Sequence, residues 1–177
     1  MKVQPILDID RGSYTEIVRY VLPGDSRNEE AVFVFARVDD NGVFTPIEVY
    51  FVPPEGFVHR SPFFLELTDD TRTAVIKRAH DLTASVIEIH SHPSQFQAEF
   101  SESDIRGFHE FVPHMLWRLK RRPYAAIVVA RSSFDSLAWF ESEVAPVPMV
   151  LRFEDGAIHA PTGTTHSTWG QEETTYE

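Results

Sequence analysis

The chain of 177 residues contains no cysteine. Disulfide bonds, a thiolate nucleophile and cysteine-ligated zinc are therefore excluded, and any metal must be held by histidine and carboxylate side chains. The sequence also lacks an apolar run close to the roughly 20 residues that a membrane span needs, and its N-terminus has no basic-then-apolar signal. We therefore expect a cytoplasmic protein that does not enter a membrane.

Basic residues are scarce: 16 Lys and Arg stand against 27 Asp and Glu, which gives a formal charge of −11. This balance argues against a nucleic-acid partner, because phosphate contacts need a basic surface. The one basic cluster, residues 118–122, lies at the predicted end of a helix, where positive charge complements the helix dipole. The length suits one domain with its own core.

The apolar periodicity predicts the element order α-β-β-α-β-α-β-β-β, which is typical of an α/β domain with a mixed β-sheet sandwiched by helices. We expect this single domain to span residues 1–155, followed by an acidic, Thr- and Gly-rich tail over 156–177 that is flexible. Residues 53–62, with three prolines, are predicted to form a loop, and Pro113 is predicted to kink or split the third helix. The predicted helices cover residues 13–22, 68–83 and 101–122, and the strands cover 31–38, 45–52, 84–92, 125–131, 136–143 and 148–154.

Two histidines end the third predicted strand, in the stretch EIHSHP. Side chains alternate faces along a strand, so His90 and His92 point the same way and can present two imidazoles to one ion. Taken alone, this pair is as compatible with a structural role as with a ligand role.

A second pair of polar residues follows at the predicted start of the third helix. Ser101 and Asp104 have the spacing of a helix N-cap and its acidic partner. Positions three apart share a face of the first turn, so both side chains can be aimed at the histidines. Two imidazoles and one carboxylate are a typical protein complement for catalytic zinc, with Asp104 as the third ligand and Ser101 positioned to stabilise an oxyanion.

A hydrolytic zinc site also needs a general base that is not a ligand. Glu88 shares strand parity with the histidines, and Glu30 immediately precedes a buried strand. The residues alone leave the choice open among Glu29, Glu30, Glu48, Glu66 and Glu88.

Together, HSHP, SESD and an upstream glutamate in NEEAVFVFAR resemble the JAMM motif of the JAB/MPN metalloproteases, over about residues 13–153. The resemblance implies one zinc ion per chain, held by His90, His92 and Asp104, with Glu30 as catalytic base and Ser101 stabilising the tetrahedral intermediate. It also implies a fold similar to that of cytidine deaminases, although deamination itself is excluded because the required cysteine pair is absent. Two departures are a His92-to-Ser101 loop one residue longer than is usual in eukaryotic members, and a serine in place of the glycine that often follows His-Pro.

The chain looks like the compact bacterial members of that family, since only a short turn stands at residues 132–135. Such members are often associated with ubiquitin-like modifiers and their activating and conjugating enzymes. The resemblance thus implies a zinc isopeptidase or peptidase that cuts after the C-terminal tail of a ubiquitin-like protein. The alternatives are a non-catalytic MPN-type scaffold, a metallopeptidase that processes a sulfur-carrier-like protein, and a regulator of conjugation in a defence operon.

An extended substrate tail is expected to add along a sheet edge near residues 53–62. Aromatic residues near this segment, and in the loop between the histidines and the helix, are candidate substrate contacts. The alternative is that they anchor their loops to the core. These candidates are Phe57, Phe63, Phe64, Phe96 and Phe100.

Overall fold

Buried apolar strands form the centre of an eight-stranded mixed sheet in the computed structural model, which describes residues 3–141 and 143–171. Within these residues the helices are α1 (Arg11–Val21), α2 (Asp69–Leu82), α3 (Glu102–Arg118) and α4 (Thr164–Thr168). The strands are β1 (Ile6–Asp8), β2 (Ala31–Val38), β3 (Val43–Phe51), β4 (Phe57–Arg60), β5 (Leu65–Leu67), β6 (Ser85–Ser91), β7 (Tyr124–Val129), β8 (Phe134–Trp139), β9 (Val150–Arg152) and β10 (Ile158–His159).

The strand order in the large sheet is β10-β9-β1-β3-β2-β6-β7-β8. Strand β2 pairs antiparallel with both β3 and β6, and β6 runs parallel to β7. The carboxyl end of β6 therefore lies beside the start of β2 and the end of β7. Residues that are far apart in the chain meet at this edge of the sheet.

Helices cover both faces of the sheet, which explains why the first six residues of β2 are all apolar. On one face, Phe33 and Phe35 of β2 pack in a core with residues of α2 and α3. On the opposite face, Val32 and Val34 pack in a second core with residues of α1, including Ile17. The predicted fold class, a mixed sheet between helices, is confirmed.

The proline-rich segment 53–62 is more regular than the predicted loop. It contains a short 3₁₀ turn (Pro54–Gly56) and strand β4, which pairs antiparallel with β5. Pro53 and Pro54 precede β4 and Pro62 follows it, so the four residues of the strand keep their N–H groups for pairing. The result is a two-stranded hairpin beside the main sheet.

Residues 156–171 pack against the domain instead of forming the predicted flexible tail. Strand β10 pairs with β9, and α4 is anchored by Trp169, whose ring centroid lies 6.0 Å from that of Trp139. Thr165 of α4 is buried, with 2% of its surface exposed. One large aromatic residue and a few hydrogen-bonding threonines thus hold a polar segment whose composition predicted disorder; residues 172–177 of the predicted tail lie outside the described part.

The sequence predicted that Pro113 would kink or split α3, and the split is wrong. The helix runs unbroken from Glu102 to Arg118. A proline in a helix removes one N–H bond, here the one to the carbonyl of His109. Five buried side chains compensate for this loss by fixing α3 to the sheet: Ile105, Phe108, Val112, Met115 and Leu116.

Replacing Pro113 with alanine is expected to stabilise the protein, because the exposed position would regain its N–H bond and a better helix former. The free energy of unfolding should rise by about 1–3 kcal/mol in urea titrations. Pro54→Ala is the control: Pro54 opens the 3₁₀ turn, where an N–H has no partner within the turn, so little change is expected. A stability unchanged or lowered in Pro113→Ala would contradict this account.

Candidate metal centre

The pairing of β2 with β6 brings a glutamate and two histidines together at one edge of the sheet. Ala31 stands opposite His90 in this antiparallel ladder. The register continues beyond the strands, since the Ser91 N–H donates to the Glu30 carbonyl oxygen at 3.1 Å. Two residues before Ala31, Glu29 therefore lies opposite His92. All three side chains share the face that α2 and α3 cover.

The three ligands that the sequence predicted converge on one point. The Nε2 atoms of His90 and His92 are 3.2 Å apart. Asp104 Oδ2 lies 3.4 Å from His90 Nε2 and 3.2 Å from His92 Nε2. Ligand atoms bound tetrahedrally to zinc at about 2.0–2.1 Å are about 3.3 Å from one another. The described side chains thus already have the spacing of three zinc ligands.

The start of α3 fixes the carboxylate of Asp104. The Asp104 N–H donates to Ser101 Oγ at 3.1 Å, and the Ser101 N–H donates to Asp104 Oδ2 at 2.8 Å, which completes a capping box. The expected helix cap and the expected ligand are therefore the same residues. Ser101 Oγ only accepts in this arrangement, so its hydroxyl hydrogen can be donated elsewhere.

Glu29, rather than Glu30, lies with the histidines. Glu29 Oε1 is 3.5 Å from His92 Nε2, and Glu29, His90 and His92 form a buried group that could hold a metal ion. Glu30 instead pairs with Arg60 of β4. Strand alternation is the reason, because adjacent residues face opposite sides of the sheet. The register with His90 was the signal that could have distinguished the two glutamates, but the apolar residues 31–36 of β2 do not reveal that register by themselves.

The remaining glutamates considered as bases serve other contacts. Glu48 makes two hydrogen bonds to Arg78 of α2, at 2.6 and 2.7 Å, away from the histidines. Glu66 is exposed on β5. Glu88 accepts a hydrogen bond from the hydroxyl of buried Tyr124, and its other oxygen lies 3.9 Å from His90 Nδ1. Glu88 therefore lies on the Nδ1 side of the His90 ring.

His92 Nδ1 is buried and has no hydrogen-bond partner within residues 3–141 and 143–171. An unsatisfied buried polar atom costs about 1–3 kcal/mol. A hydrophobic side chain would avoid this cost at the same position. The histidine is therefore better explained by what its Nε2 atom does than by its contribution to stability.

The pKa values in the metal-free protein reflect burial and close charges. Burial raises the pKa of Glu29 to about 6. Burial alone would lower the pKa of His90, but neighbouring carboxylates, chiefly that of Asp104, raise it to about 9. Burial likewise opposes the ionisation of Asp104, yet the charge and hydrogen bonds of the histidines hold its pKa far below the usual range. The cluster thus holds a proton in the place where a divalent cation would fit.

An open groove leads away from these groups. It has a volume of about 890 Å³ and lies between the β4–β5 hairpin, α2 and α3. Phe63 and Phe64 line it, and 77% of Phe63 is exposed. Its inner end is lined by Glu29, His90, Ser101 and Asp104.

The five phenylalanines considered as substrate contacts have different environments. Only Phe63 and Phe64 line the groove. Phe57 is half-buried against the core, and Phe96 is exposed but lies outside the groove lining. Phe100 is buried, with its ring centroid 5.9 Å from that of His90, so it supports a candidate ligand and does not face a substrate.

The fold and this His/His/carboxylate centre define the class of the protein. A model of the family described as prokaryotic homologues of the JAB domain matches residues 13–140, and the chain belongs to that family. Among solved structures, the solution structure of protein DSY2949 from Desulfitobacterium hafniense is similar, with 16% identity and a TM-score of 0.58, covering 84% of this chain and 94% of that one. This likeness concerns the fold alone. A comparison with curated proteins finds no match.

Over the described residues, no helix has the length and apolar character needed to cross a membrane.

Zinc binding is expected to displace a proton from His90. With a pKa of about 9, His90 of the metal-free protein is protonated at pH 7, whereas an imidazole must be neutral to bind a metal. Apparent zinc affinity should therefore rise by about tenfold per pH unit as pH increases towards 9. Calorimetric titrations in two buffers with different ionisation enthalpies measure the protons released. As the control, His80→Ala should release the same number of protons as wild type, because His80 is exposed on α2. Equal enthalpies in both buffers would contradict the assignment of the released proton to His90.

Proposed function

We propose that this protein is a zinc-dependent isopeptidase or peptidase that hydrolyses the bond after the C-terminal tail of a ubiquitin-like protein. The observation that carries the proposal is the convergence of three ligand atoms, 3.2–3.4 Å apart, beside a buried carboxylate that need not be a ligand. Glu29, His90 and Asp104 line an open groove, where an extended chain can reach them.

His90, His92 and Asp104 would hold the metal. Zinc bound there would supply a Lewis acid and would lower the pKa of a bound water to about 7. Three protein ligands are the usual complement of a catalytic zinc site, whereas structural zinc sites have four. Membership in the JAB family agrees with a metal centre of this kind.

Glu29 is the general base in this proposal and replaces Glu30, which the sequence resemblance suggested. Its carboxylate is within reach of the ligand cluster, and a pKa of about 6 suits proton transfer near neutral pH. Glu29 accepts a proton from the attacking water as the new C–O bond forms. It then delivers the proton to the leaving nitrogen as the C–N bond breaks.

Ser101 stabilises the charge that develops on the scissile carbonyl oxygen. Its hydroxyl lines the groove and its oxygen is held by the Asp104 N–H. The hydroxyl hydrogen is therefore available to donate to an oxyanion. A donor fixed before the reaction contributes without reorganisation, and removing one such donor typically lowers kcat about 10²–10³-fold.

The groove fits an extended peptide. Within the described part of the chain, β5 of the two-stranded hairpin pairs with β4 alone, which leaves its other edge open. Strand addition at this edge would place a substrate tail along Phe63 and Phe64 towards the metal ligands. Activating and conjugating enzymes of the same modifier are further proposed partners. The buried His92, whose Nδ1 atom is unsatisfied, supports a metal-binding role for its Nε2 atom.

Glu29→Gln is expected to lower kcat for cleavage of a fused ubiquitin-like substrate by about 10²–10⁴-fold, because the amide cannot accept the proton. Glu30→Gln should lose less than about tenfold, since Glu30 faces the other side of the sheet and contacts Arg60. Glu48→Gln is the surface control. Zinc content should remain close to one per chain in all three proteins.

The opposite pattern of activities would favour Glu30 as the base. If Glu30→Gln is inactive while Glu29→Gln cleaves at the wild-type rate, Glu29 is not the base. If wild-type protein binds zinc and cleaves no tail of a ubiquitin-like or sulfur-carrier-like protein, the scaffold alternative holds. If it binds no zinc at all, the metal centre itself is wrong.

Phe63→Ala is expected to raise KM by about tenfold with kcat little changed, because it removes apolar contact area that serves ground-state and transition-state binding alike. Val58→Ala is the control: Val58 is 65% exposed on the same hairpin but does not line the groove. Steady-state kinetics on the fused substrate distinguish the two. Equal effects of both changes would show that the hairpin, rather than its groove face, determines binding.

A further inference from the structure

The C-terminal segment Thr162–Trp169, here termed the clasp, lies beyond the region that the family model matches. It packs against α3 and β8: the Trp169 ring centroid is 5.1 Å from that of His109 and 6.0 Å from that of Trp139. The proposed chemistry uses none of these residues. The clasp nevertheless makes hydrogen bonds to the loop that joins the histidines to Ser101.

A buried carboxylate of β8 fixes the clasp in place. Asp135 is fully buried and accepts hydrogen bonds from the Gly163 N–H at 3.1 Å and the Thr165 N–H at 3.0 Å. Gly163 has a φ of +71°, a conformation that glycine adopts without strain. Asp135 thus caps the first turn of α4 from another element, since α4 has no side-chain cap of its own.

Two threonines connect the clasp to the loop between His92 and Ser101. The Phe100 N–H donates to Thr165 Oγ1 at 3.0 Å, and Thr162 Oγ1 donates to the Ala98 carbonyl oxygen at 2.8 Å. Thr165 and Phe100 are both buried, so water does not easily replace their hydrogen bond. The backbone of this loop is therefore held from the C-terminal side of the chain.

Phe100 touches the metal centre in two ways. Its ring packs beside the imidazole of His90, with ring centroids 5.9 Å apart. The next residue, Ser101, donates its N–H to Asp104 Oδ2 at 2.8 Å. A shift of the Phe100 backbone would consequently move two of the three candidate ligands, His90 through packing and Asp104 through the capping box.

We propose that Thr165 and Asp135 are positioning residues of the metal centre, which act through Phe100 to fix His90 and Asp104. The inference rests on the metal-binding part of the proposed function and not on the identity of the substrate. It assigns to the clasp a role beyond packing: the clasp keeps the ligand atoms at their spacing before a metal arrives.

The first test uses the unmodified protein. In amide hydrogen exchange of the metal-free chain, the Phe100 N–H should be protected to the same degree as amides within α3. An exchange rate for Phe100 close to that of an unfolded chain would overturn the proposal, because the bond to Thr165 would then not persist.

The second test compares zinc affinity, by competition with a chelator, between Thr165→Val and Thr165→Ser. Valine keeps the shape but loses the acceptor, and should weaken zinc binding by about tenfold or more; the serine variant keeps the oxygen and should stay within about threefold of wild type. Ser136→Ala is the control, since it removes buried hydrogen bonds to Met149, on the opposite face of the sheet. It should lower the thermal midpoint without weakening zinc binding.

The outcomes separate the two proposals. A wild type without zinc affinity defeats the metal centre, whereas a wild type and Thr165→Val with equal affinities defeat only the positioning role. Equal weakening in Ser136→Ala and Thr165→Val would also overturn it, because general destabilisation would then explain the effect. If Thr165→Val does not fold, Asp135→Asn is measured in its place, because the amide leaves a single acceptor oxygen for the Gly163 and Thr165 N–H groups.

Discussion

The antiparallel pairing of β2 with β6 is the constraint on which the candidate site depends. It sets Ala31 opposite His90, and two residues further on it sets Glu29 opposite His92. A slip by one residue would reverse the face of every side chain on one strand and remove the carboxylate from the histidines. Register is strongly specified here because both faces of β2 are buried in separate cores. The packing of the sheet thus determines the chemistry at its edge.

Attraction between imidazole and carboxylate groups brings the other side chains of the centre close together. Two imidazoles and the carboxylates of Asp104 and Glu29 are gathered where burial disfavours ions, and the attraction between His90 and the carboxylates offsets that cost. The capping box and the Tyr124–Glu88 contact add fixed hydrogen bonds on either side. Such an arrangement contributes little net stability. It does give a divalent cation a set of ligands that need little rearrangement.

The sequence predicted the sheet, three helices and the meeting of His90, His92, Ser101 and Asp104, because short-range rules govern all of them: strand alternation, capping and apolar periodicity. The long-range register was not readable, since β2 is apolar at seven of its eight positions, and the choice between Glu29 and Glu30 depends on that register. Composition also failed to predict that the clasp is ordered, because Asp135 accepts hydrogen bonds from its backbone N–H groups nearly thirty residues away. The β4–β5 hairpin was not predicted from the sequence, because prolines flank its paired residues.

The clasp also affects the order in which the centre is completed during synthesis. All the candidate ligands and the proposed base lie before residue 105, and the strands that carry them can pair as soon as β2 and β6 have emerged. The clasp is made almost sixty residues later. Chains grow from the N-terminus and domains tend to fold in that direction. A nascent chain therefore passes through a stage in which every candidate ligand has been synthesised, but the hydrogen bonds between the clasp and the loop through Phe100 have not yet formed.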